Sequence, residues 1–147
     1  MVYRSFKSSA LSFRPMRASC LASGTRSFHA SPPRGVLYAK ADQQTFTKAI
    51  NAKGRIAVVD FYADWCGPCH QLAPVVESLT NEPNKSGSGF PFDLVKVDTD
   101  SDEGQIIGAK YKIRALPTVI AFRDGTPVSQ FVGALNEAGV REFLNQL

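Results

Sequence analysis

The stretch that most restricts the fold of this chain is RIAVVDFYA, residues 55–63. It is nearly continuous in apolar residues and rich in β-branched ones, which predicts a strand buried on both faces. A strand of this kind lies inside a sheet, and other elements must pack above and below it. The rest of the chain therefore has to supply helices for both faces of a sheet.

Strand-like and helix-like patterns alternate along the chain after residue 36. The helix that begins after Asp42, its predicted N-cap, is expected to close on Gly54. The predicted strands are GVLYAK, RIAVVDFYA, FDLVKVDTD and the two arms of the hairpin PTVIAFRDGTPVSQFVG, and the predicted helices are DQQTFTKAINAKG, GPCHQLAPVVESLTNE, DEGQIIGAKY and NEAGVREFLNQL. This order predicts an α/β fold, with a central mixed β-sheet flanked by helices on both faces.

Basic residues are concentrated at the start of the chain. Residues 1–35 contain no Asp or Glu, so the remaining 11 basic residues are outnumbered by all 13 acidic ones. The basic residues of this leader are Arg4, Lys7, Arg14, Arg17, Arg26 and Arg34. The formal net charge of +4 therefore belongs to the leader, which argues against a nucleic-acid partner for the rest. A basic, amphipathic segment without acids is typical of a mitochondrial transit peptide; a disordered basic tail is the alternative.

The end of the leader, RSFHASPPRG, resembles the two-step pattern of matrix processing. Its Arg26, Phe28 and Ser31 have the spacing of that pattern, which implies a first cut after Ser27 and a mature chain that begins at Val36. We therefore predict a transit peptide over residues 1–35, a single domain over residues 36–147 and a location in the mitochondrial matrix. No apolar run approaches the roughly 20 residues that cross a bilayer.

The motif CGPC places two thiols two residues apart, and three kinds of chemistry fit such a pair. A zinc site generally needs four Cys or His ligands, whereas a mature chain without Cys20 offers Cys66, Cys69 and His70. A structural disulfide would close a very small loop and gain little chain entropy. Disulfide exchange fits best, although the zinc site and the structural disulfide stay open as alternatives.

Exchange requires a thiolate near neutral pH, and the predicted position of the pair favours one. Cys66 falls between a buried strand and the helix that follows, where backbone N–H groups and the helix dipole favour an anion. Cys69 is expected one turn inside the helix and more shielded from solvent. Gly67 is expected to permit a tight turn, and Pro68 suits a helix start because it needs no N–H.

The motifs around this pair resemble those of the thioredoxin family. WCGPC, residues 65–69, is preceded by VVDFYAD and followed by IRALPT, residues 113–118, and by FVGAL, residues 131–135. The resemblance covers residues 36–147 and implies a thioredoxin fold and a protein-disulfide reductase. It also implies that Cys66 attacks the substrate disulfide, that Cys69 resolves the mixed disulfide and that Asp60 is the acid/base group for Cys69.

The same resemblance assigns supporting and substrate-binding roles, with Gly67 and Pro68 as supporting spacer residues. Lys96 matches a lysine near the buried aspartate, a solvated strand lysine being the alternative. Trp65 would cover the active site, and Pro117, with Leu116 before it, matches a cis-proline that faces the disulfide. Gly133 would leave room for the backbone of a substrate, although a glycine at a strand end is also ordinary.

The resemblance further implies how the protein is supplied with electrons. No bound cofactor or metal is expected; NADPH is used indirectly, through the flavoprotein thioredoxin reductase. The other expected partners are disulfide-containing proteins such as peroxiredoxins, with no nucleic acid, no stable membrane association and a monomeric state. An oxidase or isomerase on the same fold is one alternative, and a binding module without turnover is another.

Three features depart from the pattern of the family. Tyr62 stands where many members have Trp, and His70 replaces the usual Lys. His70 either makes the thiolate population more pH-dependent or is an ordinary exposed helix residue. The segments 83–91 and 98–108 are longer than usual, and neither is expected to touch the site.

Overall fold

The computed structural model describes residues 35–82 and 86–147. The expected transit peptide, its processing pattern and Cys20 lie outside these residues, so they stay predictions, as does the domain boundary before Val36. None of the helices in the described part of the chain combines the length and the apolar character that crossing a bilayer requires.

The described residues form five strands and four helices in the predicted order. The strands are β1 (Leu37–Tyr38), β2 (Ile56–Tyr62), β3 (Phe92–Asp98), β4 (Thr118–Arg123) and β5 (Thr126–Val132). The helices are α1 (Gln43–Ile50), α2 (Gly67–Asn81), α3 (Asp102–Lys110) and α4 (Glu137–Asn145). Asp42 is the N-cap of α1, as predicted, and its Oδ1 accepts the N–H of Thr45 at 2.6 Å.

The predicted end of α1 at Gly54 is wrong. The helix ends at Ile50, with Asn51 as its C-cap. Gly54 has a φ of +68° and lies in the turn that leads into β2. Its left-handed conformation explains the glycine, because this region is costly for residues with a Cβ. The glycine therefore marks the turn after the helix, not the helix end itself.

The sheet has the order β1-β3-β2-β4-β5 and is mixed, as predicted. β3 is parallel to both β1 and β2, whereas β4 is antiparallel to β2 and to β5. β2 occupies the centre, and its residues 56–61 are all buried. Its register places Asp60 beside Lys96 of β3 and Val119 of β4.

Helices cover both faces of the sheet, which confirms the predicted layers. One core lies under α2 and α4 and is made of Ile56, Val58, Leu72, Val76, Leu79, Phe92, Leu94, Val119, Ala121, Val140, Phe143, Leu144 and Leu147. The other lies under α1 and α3 and is made of Ala41, Phe46, Ala49, Ile50, Ala57, Val59, Phe61, Val95, Val97, Ile107, Ile120 and Phe122. Successive residues of β2 alternate between the two cores, as the period of a strand requires.

The hairpin between β4 and β5 turns at Asp124 and Gly125. Both residues have positive φ, 50° and 80°, which is the conformation of the tight two-residue turns that Asp-Gly favours. The predicted turn is confirmed. Pro74 lies inside α2 without ending it.

Candidate active site

The two cysteines lie where the central strand passes into α2. Cys66 is the N-cap of α2, and its Sγ accepts the backbone N–H of Cys69 at 3.3 Å. A disulfide bond joins the two residues, with their Cα atoms 5.3 Å apart. An N-cap atom satisfies a backbone N–H that has no partner inside the helix. The sulfur of Cys66 therefore lies at the positive end of the helix dipole, where negative charge is stabilised.

The expected contrast in shielding between the cysteines is absent from this disulfide form. Cys66 is 4% exposed and Cys69 is 3% exposed, so both residues are buried. They form a small apolar cluster with Ala63, against which Tyr62 and Leu116 pack. The reason is tertiary, because Leu116 packs against this cluster from a distant part of the chain.

Gly67 was expected to permit a tight turn, and this reason for the glycine is wrong. The expectation that Pro68 suits the start of the helix is confirmed. Gly67 is the first residue of α2 and is not among the glycines with positive φ. A Cβ built on it would meet no atom within 4 Å. The local backbone therefore does not demand a glycine here. Pro68 lies in the first turn of α2, where a missing N–H costs nothing.

Asp60 is a buried carboxyl group in the central strand. It is 1% exposed, and no hydrogen-bond partner for its Oδ1 occurs in the described part of the chain. Burial raises the pKa of Asp60 from 3.8 to about 6, because the charged form loses its hydration. The positive charge of Lys96 opposes this rise, and the negative charge of Glu77 adds to it. The carboxyl group can therefore exchange a proton near neutral pH.

A cavity of about 270 Å³ connects Asp60 with the redox pair. Its lining residues are Ala39, Lys40, Asp60, Tyr62, Asp64, Cys69, His70, Ala73 and Lys96. Cys69 lines this cavity and Cys66 does not. The volume exceeds that of a water molecule several times. A proton can therefore pass between Cys69 and Asp60 without crossing the packed core.

Lys96 lies in this cavity near Asp60, and it forms its ion pair with Glu77. Its Nζ lies 2.8 Å from Oε1 of Glu77 and 5.1 Å from the ring centre of Tyr62. Its side chain is only 17% exposed. The alternative of a freely solvated strand lysine is therefore wrong. Tyr62, one of the departures from the family pattern, supplies the aromatic face for the ammonium.

Trp65, which directly precedes Cys66, is 73% exposed. Its Nε1 donates to Oδ2 of Asp100 at 2.9 Å. It also borders a groove of about 420 Å³ that Gln105 and Leu116 help to line. An exposed indole held at one end is a rigid apolar surface that suits contact with a partner.

The expectation that segment 98–108 stays away from the site is therefore wrong. Asp100 and Gln105 belong to it, and both lie at the Trp65 side of the site. A signal existed in the sequence, because β2 and β3 were predicted as strands that end in this region. The carboxyl ends of parallel neighbouring strands meet at one edge of a sheet.

A backbone hydrogen bond joins Gly133, which follows β5, to Pro117, which precedes β4. The Leu116–Pro117 peptide bond is cis, as expected, and Pro117 is buried. The N–H of Gly133 donates to the carbonyl of Pro117 at 2.8 Å. Gly133 has a φ of +94°, and a Cβ there would meet no atom within 4 Å. The backbone conformation alone explains the glycine, and the space beside it is open.

His70 is exposed at the rim of the cavity, but its ring is held. Its Nε2 lies 2.8 Å from the carbonyl oxygen of Asp64. A carbonyl only accepts, so Nε2 carries the hydrogen in both the neutral and the charged ring. His70 thus ties the first turn of α2 to the loop before Trp65.

Metal binding finds no support within residues 35–82 and 86–147. No group of three or more His, Cys, Asp or Glu side chains there could hold a metal ion. His70, the third ligand considered for zinc, points its Nε2 to a backbone carbonyl.

Comparison with known proteins was made through a family model and through individual relatives. The family model Thioredoxin matches residues 37–146. Thioredoxin from Echinococcus granulosus is 40% identical over 90 residues, which are 61% of this chain and 76% of that protein. Thioredoxin Y, chloroplastic, from Oryza sativa subsp. japonica is 35% identical over 133 residues, which are 88% of this chain and 75% of that protein.

Solved structures of the same kind superpose on this chain. A mutant thioredoxin from Halobacterium salinarum NRC-1 does so with a TM-score of 0.63 and 31% identity, covering 80% of this chain and 93% of its own. The X-ray structure of Fasciola hepatica thioredoxin has a TM-score of 0.58 and 40% identity, covering 76% of this chain and 97% of its own.

Proposed function

The chain belongs to the thioredoxin family and is a thiol-disulfide oxidoreductase, and from this premise we propose that it reduces protein disulfides with electrons that originate in NADPH. One observation carries the proposal. The Cys66–Cys69 disulfide lies at the N-terminus of α2, and Cys69 shares a cavity with Asp60, whose pKa burial raises to about 6. The site thus combines an electron-carrying pair with a group that can take up a proton.

In the first step, the thiolate of Cys66 attacks one sulfur of a client disulfide. A bond forms between Sγ of Cys66 and that sulfur, and the other client sulfur leaves as a thiolate. The N-cap position supports this role for Cys66, because the N–H of Cys69 points at its sulfur and the helix dipole favours the anion.

In the second step, Cys69 resolves the mixed disulfide. Cys69 gives its proton to Asp60 through the shared cavity, and its thiolate attacks Sγ of Cys66. The Cys66–Cys69 bond forms, and the second client sulfur leaves. The client gains two electrons, its two thiolates take up protons from Asp60 and from solvent, and the chain is left in the disulfide form described above.

Clients dock on the exposed surface around the disulfide. Trp65 presents its indole there, Leu116 packs against the cysteine cluster, and open space lies beside Gly133. Leu116 is followed by the cis peptide bond to Pro117. An extended client segment can lie across these residues because no side chain projects from Gly67 or Gly133.

Members of the thioredoxin family generally act with thioredoxin reductase and with disulfide-containing substrates. For this chain we propose that a flavoprotein reductase passes electrons from NADPH to the Cys66–Cys69 disulfide. Peroxiredoxins are proposed among the clients. The protein acts as a monomer and holds no cofactor of its own.

The reduction potential of the Cys66–Cys69 couple tests the direction of electron flow. We expect about −270 mV, the range of reducing members, whereas a disulfide isomerase lies near about −180 mV. The measurement equilibrates the full chain carrying Cys20→Ser with thiol buffers of defined potential. The substitution removes the third thiol. A value at the isomerase end of this range would contradict the proposed reductase and favour the oxidase or isomerase.

The composition of residues 1–35 supports a location in the mitochondrial matrix. Six basic residues and no acidic ones favour import along a membrane potential. A fusion of residues 1–35 to a fluorescent protein is expected to enter mitochondria. A second fusion, in which Arg4, Lys7 and Arg14 are replaced by glutamate, is expected to stay outside them. Cytosolic fluorescence of the first fusion would contradict the proposal.

A further inference from the structure

A charged residue to which the reaction above gives no role contacts Lys96, one of the residues that line the cavity beside Asp60. Glu77 of α2 places its Oε1 2.8 Å from Nζ of Lys96, and the side chains are 35% and 17% exposed. No ion pair joins Lys96 to Asp60 in the described part of the chain. Lys96, which lies next to the buried carboxyl group of Asp60, is therefore paired with the carboxylate of Glu77.

The fold explains why these groups meet. Lys96 is paired with Asp60 in the parallel register of β2 and β3, and paired residues on neighbouring strands point to the same side of a sheet. Glu77 follows Cys69 by about two turns of α2, which puts it on the same helix face. α2 packs on this side of the sheet, so its carboxylate reaches the ammonium.

We propose that Glu77 is a positioning residue for the redox reaction: its ion pair holds the Lys96 ammonium against the cavity wall and keeps that charge from pairing with Asp60. The Asp60 carboxyl group is thereby left able to accept the proton of Cys69. Only the transfer of a proton from Cys69 to Asp60 rests on the proposed function. The ion pair of Glu77 with Lys96 is present whether or not the protein reduces disulfides.

The physical reason is a competition for one cation. A cation in contact with a buried carboxylate stabilises its charged form and typically lowers its pKa by about 1–3 units. Lys96 contacts Glu77 and lies over the ring of Tyr62, so it cannot give Asp60 this full effect. Glu77 also repels the charge of Asp60 directly. Both effects keep the proton affinity of Asp60 high.

Other titratable groups face the same cavity and also act on the charge of Asp60. They are Lys40 before α1, Tyr62 in β2, Asp64 in the loop after β2 and His70 in α2, and Cys69 joins them when the disulfide is reduced. A change confined to Glu77 leaves all of them in place. The response of Asp60 to that change therefore isolates the role of the ion pair.

The first test is the titration of Asp60 in the oxidised full chain, followed by the ¹³C NMR signal of its carboxyl carbon. Glu77→Gln is expected to lower the midpoint by about one pH unit, because Lys96 is released toward Asp60 and the repulsion is removed. Glu82→Gln is the matched control. It removes the same charge at the C-cap of α2, where Glu82 pairs with Arg141, and it is expected to leave the midpoint unchanged. A midpoint in Glu77→Gln that is unmoved or raised would overturn the inference.

A double variant separates positioning from direct repulsion. In a Lys96→Met background, Glu77→Gln is expected to lower the midpoint of Asp60 clearly less than it does with Lys96 present. A shift of equal size in both backgrounds would mean that Glu77 acts on Asp60 without Lys96, and the positioning role would be wrong.

The pH profile of disulfide reduction connects the ion pair to the reaction. The rate of the resolving step is expected to rise with pH as Asp60 ionises, and in Glu77→Gln this rise is expected at lower pH by the same amount as the NMR midpoint. An unchanged profile beside a shifted midpoint would overturn the role in the reaction. A wild-type chain that reduces no disulfide would instead refute the proposed function, and the titration would still decide the role of the ion pair.

Discussion

Replacing Cys66 by serine is expected to lower the rate of protein-disulfide reduction at least about a thousandfold, because the nucleophile is lost. A serine hydroxyl is not ionised near neutral pH and does not attack a disulfide. Ser is itself a good N-cap, so the first turn of α2 is expected to stay intact in this variant. The loss of activity would therefore reflect the missing thiolate and not a disturbed helix. The measurement is the reduction of insulin disulfides by the full chain with NADPH and a flavoprotein reductase.

Cys69→Ser is expected to behave differently from Cys66→Ser, although turnover is lost in both. Cys66 can still attack a client, but the mixed disulfide can no longer be resolved from inside the protein. The variant should therefore accumulate as a covalent adduct with its client, visible on a non-reducing gel.

The third cysteine supplies the matched control for both variants. Cys20→Ser, in the predicted leader, is expected to keep wild-type activity. Activity retained when Cys66 and Cys69 are both serine would contradict the reductase. Partner binding retained with no turnover in the wild-type chain would instead indicate a binding module.

Asp60→Ala is expected to raise the free energy of unfolding at pH 8 by up to about 3 kcal/mol. The pKa of Asp60 is about 6 in the folded chain and near 3.8 when unfolded, so the folded state binds the proton more tightly. Stability from this group is therefore present below about pH 4 and is lost as pH rises through about 6. The difference of roughly 2 pH units corresponds to about 3 kcal/mol at about 1.36 kcal/mol per unit.

The increase in the free energy of unfolding caused by Asp60→Ala should thus depend on pH. Urea unfolding of the oxidised protein is expected to show a more stable variant at pH 8 and a small difference or a loss at pH 4. Glu142→Ala, which removes an exposed carboxylate of α4, serves as the control and should show no such trend. A gain of equal size at both pH values would show that the charge of Asp60 is not its cause.

Local features of the chain were predictable from residue patterns. Asp42 caps α1, Asp124 and Gly125 form the hairpin turn, and Pro68 lies in the first turn of α2. Each depends on a few neighbouring residues and on the backbone conformations they favour. The β2 strand was equally clear, because a run that is apolar on both faces has one stable environment.

Contacts between distant segments were not predictable in the same way. Asp100 reaches Trp65 and Glu77 reaches Lys96 only because β2, β3 and α2 meet in space. The equal burial of Cys66 and Cys69 likewise depends on Leu116, which packs against the cysteine cluster from a distant part of the chain. A pattern along the chain does not predict which ends of two elements lie next to each other, because this depends on the order of the strands in the sheet.

The sequence by itself determined the order of the elements, the layers of the fold and the position of the redox pair at a helix start, because these follow from hydrophobic periodicity and local backbone preferences. Only the tertiary structure decided the proton affinity of Asp60 and the partner of Lys96. Both depend on desolvation and on charges brought within a few ångströms by the packing of α2 on the sheet. Such energies depend on distance through space, which the spacing of residues along the chain does not contain.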